Sequence, residues 1–126
     1  MITLAYPARA RGLEIRRRQE GACTVVEVAG ELDMNAVPLL RAELDGVMRA
    51  TRRPCLVLDL TKTTFCDSAG LGLLVGTYTR VRETGGRVVF AVVPGMISRL
   101  LTITHLDHHF ETYESADDAV EILRAA

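Results

Sequence analysis

The chain has 126 residues, of which 48% are hydrophobic and 25% are charged, and its formal net charge is −1 at pH 7. This length fits one domain with a single core, and the near-neutral charge gives no reason to expect nucleic acid or an anionic membrane as partner. No apolar run approaches the roughly 18 residues of a membrane span, and the N-terminus has no apolar signal core. We therefore expect a cytoplasmic globular protein.

The three cysteines, Cys23, Cys55 and Cys66, are odd in number and lie in or beside apolar runs. This pattern predicts reduced core cysteines rather than a set of disulfides. No Cys-x-x-Cys spacing is present, so a zinc site is not expected, and no cofactor is indicated.

The first twelve residues show no clear period and contain Pro7 and Gly12. We interpret residues 1–12 as a loosely ordered leader and residues 13–126 as the domain.

The domain opens with a predicted hairpin. A short strand from Leu13 ends in the charged run Arg16–Arg18, and the β-branched segment Thr24–Val28 forms the second strand. The arginines are interpreted as solvated charge that keeps an edge strand from pairing with another sheet. The alternative is a docking patch for an acidic partner.

The segment Gly30-Glu31-Leu32-Asp33 then leaves the sheet and leads into a helix that ends near Ala50. Asn35 is a suitable cap, and Pro38 is acceptable in the first turn. The apolar residues that recur at helical spacing are Val37, Leu40, Leu44, Val47 and Met48.

A strand buried on both faces is predicted for Cys55–Leu60, an apolar run interrupted only by Asp59. A polar loop, Thr61–Thr64, follows. Beyond Asp67-Ser68-Ala69-Gly70-Leu71-Gly72 a helical pattern runs to about Thr84. Ser68 falls where this helix should begin, and serine is a preferred N-cap residue. Because a helix N-terminus favours negative charge, a phosphate on Ser68 would be tolerated by the fold.

The last third of the chain alternates strands and helices. Its predicted elements are a Gly85-Gly86 turn, a strand over Arg87–Val93, a helix over Met96–Thr104, a strand over Phe110–Tyr113 and a final helix opened by a Ser115 to Asp118 capping box. The cluster of His105, His108 and His109 fits a polar loop, with a metal site as the weaker alternative.

The order β-β-α-β-α-β-α-β-α predicts an α/β domain with a mixed sheet. The strand–helix–strand crossovers make the later strands parallel, whereas the opening hairpin is antiparallel.

The Asp67 to Gly72 segment, placed after a strand, resembles the phosphorylation loop of bacterial anti-sigma-factor antagonists, which are members of the STAS family. The resemblance continues through Gly30-Glu31-Leu32-Asp33 upstream, and through Gly85-Gly86 and the Val88–Val93 strand downstream. It spans about Leu13 to Ala126. It implies a single STAS-like domain, with a central sheet and helices packed mainly on one face.

The resemblance also implies a function. Ser68 matches the serine that is phosphorylated by a cognate anti-sigma factor, which is itself a serine kinase, and a metal-dependent Ser/Thr phosphatase reverses this. The unphosphorylated form would bind the anti-sigma factor and free the sigma factor, with no catalysis of its own. Considered without the family, Ser68 is better explained as a capping serine than as a regulatory one.

The residues expected to contact the partner surround this serine. They are Asp33, Thr64, Asp67, Ala69, Gly70, Leu71 and Gly72. Ala69 stands where a second serine often occurs in the family, so one acceptor hydroxyl remains. Several alternatives stay open: Asp33 as a plain helix-entry aspartate, Asp67 as a turn aspartate, Leu71 as a core residue, and Thr63 or Thr64 as a minor phosphorylation site.

Enzyme functions are poorly supported. Ser68 does not lie in Gly-x-Ser-x-Gly, and neither a dinucleotide fingerprint nor a phosphate-binding loop for nucleotide hydrolysis is present. The main alternative function is a non-switching STAS scaffold or a small-ligand-binding module. A monomer or weak homodimer is expected.

Overall fold

The computed structural model describes residues 8–10 and 12–125. The predicted leader therefore lies outside the described residues at positions 1–7 and 11. Within it, Ala8–Ala10 form a short strand that no sequence pattern had indicated.

The described residues contain seven strands, four α-helices and one 3₁₀ helix. In chain order they are β1 (Ala8–Ala10), β2 (Leu13–Glu20), β3 (Cys23–Leu32), α1 (Val37–Arg49), β4 (Cys55–Asp59), β5 (Thr63–Cys66), α2 (Ser68–Glu83), β6 (Arg87–Ala91), α3 (Met96–Ile103), the 3₁₀ helix Leu106–His108, β7 (Thr112–Tyr113) and α4 (Ala116–Ala125).

The strands form one mixed sheet in the order β1-β2-β3-β4-β6-β7, with β5 paired to β3 beside this path. The pairs β1–β2 and β2–β3 are antiparallel, and β3–β4, β4–β6 and β6–β7 are parallel. The predicted mixed sheet with an antiparallel opening hairpin is thus confirmed.

Strand β5 replaces the last part of the predicted polar loop. Thr63 to Cys66 pair in parallel with the carboxyl end of β3, so that Thr63 lies opposite Gly30 and Cys66 opposite Leu32. This short pairing places the residue after Cys66 directly beside the exit of β3.

Two clusters of buried side chains lie on opposite faces of the sheet. The larger cluster joins the sheet to α1, α2 and α3, through residues such as Leu44, Leu74 and Leu101. The smaller cluster joins the other face to α4, through Ala116, Ala119 and Val120. Three of the four described helices therefore share one face, as predicted. Burial of these side chains is the main favourable term for the fold.

The start of α1 differs from the prediction. Ala36 occupies the N-cap position without a side-chain cap, so the prediction of Asn35 as the cap is wrong. Instead the Asp33 carboxylate accepts hydrogen bonds from the N–H groups of Asn35 and Ala36, both at 3.0 Å. Pro38 lies in the first turn as expected, where its missing N–H costs nothing.

The prediction of three reduced cysteines is wrong for two of them. Cys23 and Cys55, the first residues of the neighbouring strands β3 and β4, form a disulfide, whereas Cys66 is free and buried. Their Cα atoms are 4.6 Å apart, a distance that suits a disulfide. The sequence could not reveal this pair, because it depends on the register of two strands separated by α1.

We expect the Cys23→Ser, Cys55→Ser double variant to be less stable than the parent chain. A disulfide that spans 32 residues restricts the unfolded chain, and its loss lowers the free energy of unfolding by about 3–4 kcal/mol in the chain-entropy description. Urea unfolding with and without reductant measures this. Reductant should destabilise the parent and leave the double variant unchanged. Equal midpoints for both proteins under oxidising conditions would contradict the bridge.

Candidate functional site

Helix α2 begins at the motif serine, directly after β5. Asp67 is the N-cap residue: its backbone is extended, and its Oδ1 accepts a hydrogen bond from Gly70 N–H at 2.9 Å. Ser68 is therefore the first helical residue, and its prediction as the cap is wrong by one position. Aspartate and serine cap about equally well, so composition could not decide between them.

The Asp67 carboxylate also connects the two sequence motifs. Its Oδ2 accepts a hydrogen bond from Met34 N–H at 2.9 Å, in the turn between β3 and α1. The Asp67 N–H donates to the Leu32 carbonyl at 3.3 Å. One residue thus ties the start of α2 to the exit of β3, and it fixes where Ser68 lies relative to Asp33.

Ser68 is exposed, and its hydroxyl forms no hydrogen bond to any other described residue. The first N–H groups of a helix lack partners within the helix. The Asp67 side chain accepts a hydrogen bond from the Gly70 N–H, whereas the N–H groups of Ser68 and Ala69 stay unpaired in the described part of the chain. A phosphate on Ser68 would therefore carry its charge beside free donors and the positive end of the helix dipole.

Asp33 belongs to the same edge of the sheet but already has local partners. Its side chain is half-buried and accepts from Asn35 and Ala36, so it shapes the turn that precedes α1. These bonds support the alternative interpretation of Asp33 as an aspartate that shapes the entry to α1. The same turn places Met34 N–H within hydrogen-bond distance of the Asp67 carboxylate.

The two glycines of the motif have different surroundings. Gly70 is buried, and a Cβ there would overlap the Leu32 carbonyl oxygen and lie 2.9 Å from Cys66 Sγ. Gly72 is exposed, with open space where a Cβ would lie. Gly70 therefore allows α2 to approach β3, and Gly72 keeps the surface beside Ser68 low. Between them, Leu71 is half-buried against the core, whereas Ala69 is exposed.

Two exposed apolar side chains flank the serine, and sequence analysis missed both. Met34 is 68% exposed and follows the turn aspartate, and Phe65 on β5 is 42% exposed. Strand β5 does not alternate regularly, since Thr64 and Phe65 are both exposed between buried Thr63 and Cys66, so a period of two could not have located Phe65. Single exposed apolar side chains are common on protein surfaces, and what distinguishes these two is their position next to the start of α2 in the chain and in the turn bonded to Asp67.

The secondary phosphorylation candidates differ in accessibility. Thr63 is buried, and its hydroxyl donates to the Val28 carbonyl at 2.7 Å. It is therefore not available to a kinase in the folded protein. Thr64 is exposed, at the same edge of the sheet as Ser68.

Cys66, directly before the cap, is chemically inert. Burial, together with the nearby Asp67 charge, raises the pKa of its thiol to about 11. Since the thiolate is the nucleophile and the metal ligand, this cysteine stays protonated near neutral pH.

The histidine cluster does not form a metal site. Within residues 8–10 and 12–125, no group of three His, Cys, Asp or Glu side chains is arranged to hold a metal ion. His105 lies in the left-handed backbone region, with φ 61°, and starts the turn into the 3₁₀ helix. No helix in the described part of the chain is both long and apolar enough to cross a membrane.

A family comparison agrees with this architecture. The family model of the STAS domain matches residues 14–119, which include strands β3 to β7, nearly all of β2, all of α2 and the serine motif. The chain belongs to the STAS domain family.

The STAS relatives of this chain carry related names. It is 29% identical over 110 residues to the anti-sigma F factor antagonist of Paenibacillus polymyxa, covering 86% of this chain and 92% of the relative. It is 31% identical over 96 residues to the anti-sigma-B factor antagonist of Bacillus subtilis, covering 76% and 86%. The crystal structure of an anti-sigma factor antagonist from Mycobacterium paratuberculosis superimposes with a TM-score of 0.80 at 27% identity, over 93% of this chain and 98% of that one.

The glycine pair of this STAS domain yields a matched prediction. Gly70→Ala should lower the free energy of unfolding by about 1–3 kcal/mol, because backbone and side chains must move to make room. Gly72→Ala should leave stability unchanged or raise it by up to about 1 kcal/mol, since alanine favours a helix and space is open. Chemical denaturation of both variants measures this. Equal losses for the two would show that Gly70 does not pack against Leu32.

A second pair tests which residue is the cap. Asp67→Ala removes the acceptor for both Gly70 N–H and Met34 N–H, so we expect a loss of about 1–2 kcal/mol. Ser68→Ala, one residue along, should change stability by less than about 0.5 kcal/mol, as exposed substitutions do. If thermal unfolding showed the larger loss for Ser68→Ala, the assignment of the cap would be incorrect.

Proposed function

We propose that this chain is an anti-sigma factor antagonist. In its unphosphorylated form it binds an anti-sigma factor that has serine kinase activity, and this binding frees the sigma factor. Phosphorylation of Ser68 ends the interaction. The proposal is supported by the names of the relatives and by an exposed serine hydroxyl held at the N-terminus of α2.

The display of Ser68 is the observation that carries the proposal. A kinase needs a reachable hydroxyl in a defined position, and here the Asp67 carboxylate fixes the helix start on which the hydroxyl lies. The chain supplies the acceptor, and the kinase supplies the chemistry. Accordingly we assign the chain no enzymatic activity, and a phosphatase of the metal-dependent Ser/Thr class would remove the phosphate.

The proposed partner surface is centred on Ser68. Met34 and Phe65 supply apolar contacts, and buried Gly70 contributes only by letting α2 pack against β3. The other members of the surface are Asp33, Thr64, Asp67, Ala69, Leu71 and Gly72. Exposed apolar groups beside a polar centre can be buried when a partner docks, which favours association. Asp67 and Asp33 add negative charge around the serine.

Phosphorylation would act on this interface through charge. A phosphoserine adds about −1.5 to −2 charge at neutral pH. Burying that charge in a packed interface next to Asp67 is unfavourable, because the phosphate must lose its hydration and is repelled by the carboxylate. A cost of about 2–4 kcal/mol would weaken binding roughly 30- to 1,000-fold, which is sufficient for a switch.

We propose a cytoplasmic location, because the proposed partner controls a sigma factor, which acts in transcription. The Cys23–Cys55 disulfide is the one observation against this location, since cytosolic thiols are normally kept reduced. The division into a leader, residues 1–12, and a STAS domain, residues 13–126, stays a prediction, as does the monomer or weak homodimer.

The acceptor assignment is tested by incubating the purified chain with its anti-sigma kinase and ATP, followed by peptide mapping in a mass spectrometer. The parent chain should gain one phosphate, on Ser68. Ser68→Ala should gain none and stay bound to the kinase, whereas Thr64→Ala, the hydroxyl control for the acceptor position, should still gain one phosphate on Ser68. Stoichiometric phosphate on Ser68→Ala would overturn the assignment.

The effect on the fold is tested with Ser68→Asp. This variant should bind the kinase poorly, while its amide shifts change only near the start of α2 and the turn before α1. The amide shift changes should stay this local because the new charge lies beside unpaired N–H groups at the start of α2. Shift changes across the whole sheet would instead indicate a rearrangement. Unaltered kinase binding by every Ser68 variant would favour a non-switching scaffold.

A further inference from the structure

A cleft with a volume of about 390 Å³ lies at the end of α2 opposite to Ser68. Its lining includes Tyr78, Arg82, the Gly85-Gly86 turn, Arg87, His109 and Glu111. Helix α2 has 16 residues, so the two ends are about 24 Å apart. The proposed switch uses none of these residues.

Arg82 lies on the cleft wall and has no carboxylate partner among the described residues. Its Cζ lies 5.5 Å from the centre of the Tyr78 ring, and its Nη1 donates to Tyr78 Oη at 2.9 Å. By contrast Arg80, two residues earlier, forms an ion pair with Asp45 at 2.8 Å. Most N–H donors of Arg82 therefore remain available to an external acceptor, and the Tyr78 ring fixes the position of the guanidinium.

Arg87 is fixed from the other side. Its Nε and Nη2 donate to the two Glu111 oxygens at 3.2 and 2.7 Å, and Glu111 also accepts from the Tyr113 hydroxyl. Burial raises the pKa of Glu111, but the hydrogen bonds from Arg87 and Tyr113 outweigh this and lower it. The carboxylate thus stays charged and orients the guanidinium, whose Nη1 makes no hydrogen bond within the part of the chain that the structure describes.

A third guanidinium lies near the cleft without lining it. A Cβ built on Gly85 would lie 3.8 Å from Arg53 Nε, so Arg53 lies beside the turn. Neither Arg53 nor Arg82 forms an ion pair with any residue between 12 and 125. The cleft lining has two arginines and one carboxylate, Glu111, which leaves one positive charge, and Arg53 beside the turn adds a second.

The turn is packed closely against the segment before β4. Gly85 has φ +77°, and a Cβ on Gly86 would overlap the Pro54 carbonyl oxygen, so the backbone reverses tightly here. The last carbonyls of α2 are engaged, because Val81 and Arg82 accept hydrogen bonds from the Thr84, Gly85 and Gly86 N–H groups. These hydrogen bonds partly satisfy the carbonyls at the negative end of the helix dipole, which would otherwise disfavour an anion.

We propose that this cleft binds a phosphate group, either as inorganic phosphate or on a small phosphomonoester. Arg82 and Arg87 are the principal donors, and Arg53 contributes from the rim. Guanidinium groups match the spacing of phosphate oxygens and bind them in pairs of charge-assisted hydrogen bonds. The cleft is larger than a bare phosphate, which leaves space for a small organic group.

The test is a nitrogen-15 NMR titration of the whole chain, at ionic strength held constant with sodium chloride. Inorganic phosphate is used in one series and glycerol phosphate in the other. We expect saturable shifts of the Gly85, Gly86 and Arg87 amides and of the Arg82 Nε–H group. Tighter binding of glycerol phosphate identifies a phosphomonoester site, and equal binding identifies inorganic phosphate as sufficient.

Matched arginine variants decide whether the cleft is responsible. Arg82→Gln should weaken binding by about tenfold or more, the loss typical of a hydrogen bond to a charged group. Arg53→Gln should weaken it less. Arg99→Gln, an exposed arginine on α3, should have no effect. Unchanged affinity in folded Arg82→Gln, or shifts that chloride alone reproduces, would overturn the proposal, as would the absence of saturable shifts.

Discussion

The Asp67 carboxylate is the interaction on which the arrangement of this protein's candidate site depends. One oxygen caps α2 through Gly70 N–H, and the other holds the turn after β3 through Met34 N–H. Two segments that are far apart in the chain thereby share one rigid junction. Since both oxygens already have partners, Asp67 positions the neighbouring hydroxyl rather than competing for it. The exposed serine is a consequence of this junction.

The junction also explains how a charge could change binding without changing the fold. Buried groups, including Leu32, Cys66 and Gly70, lie below the helix start, and the exposed groups Met34 and Phe65 lie beside it. New charge on Ser68 would be met by free helix donors within the chain. When a partner is docked, the same charge would instead lie in an interface that contains the apolar side chains of Met34 and Phe65. The energetic cost therefore falls on the interface.

Much of the architecture could be predicted from sequence, because helix periodicity and buried strands are local signals. The boundary of α2 was missed by one residue, since both Asp67 and Ser68 are good caps. Strand β5 was missed because Thr63 and Thr64 are polar, and because its partner is the distant strand β3. Pairings between separated segments, such as Cys23 with Cys55, depend on register, which no local pattern reports.

The disulfide at the start of β3 and β4 has a topological consequence. It closes β3, the turn at Asp33 and all of α1 into one covalent ring. If a protease cut a single peptide bond inside this ring, the two pieces would stay joined. The nicked molecule would run as one species until reductant is added, and the Asp33 turn would remain tethered to the chain that bears Ser68.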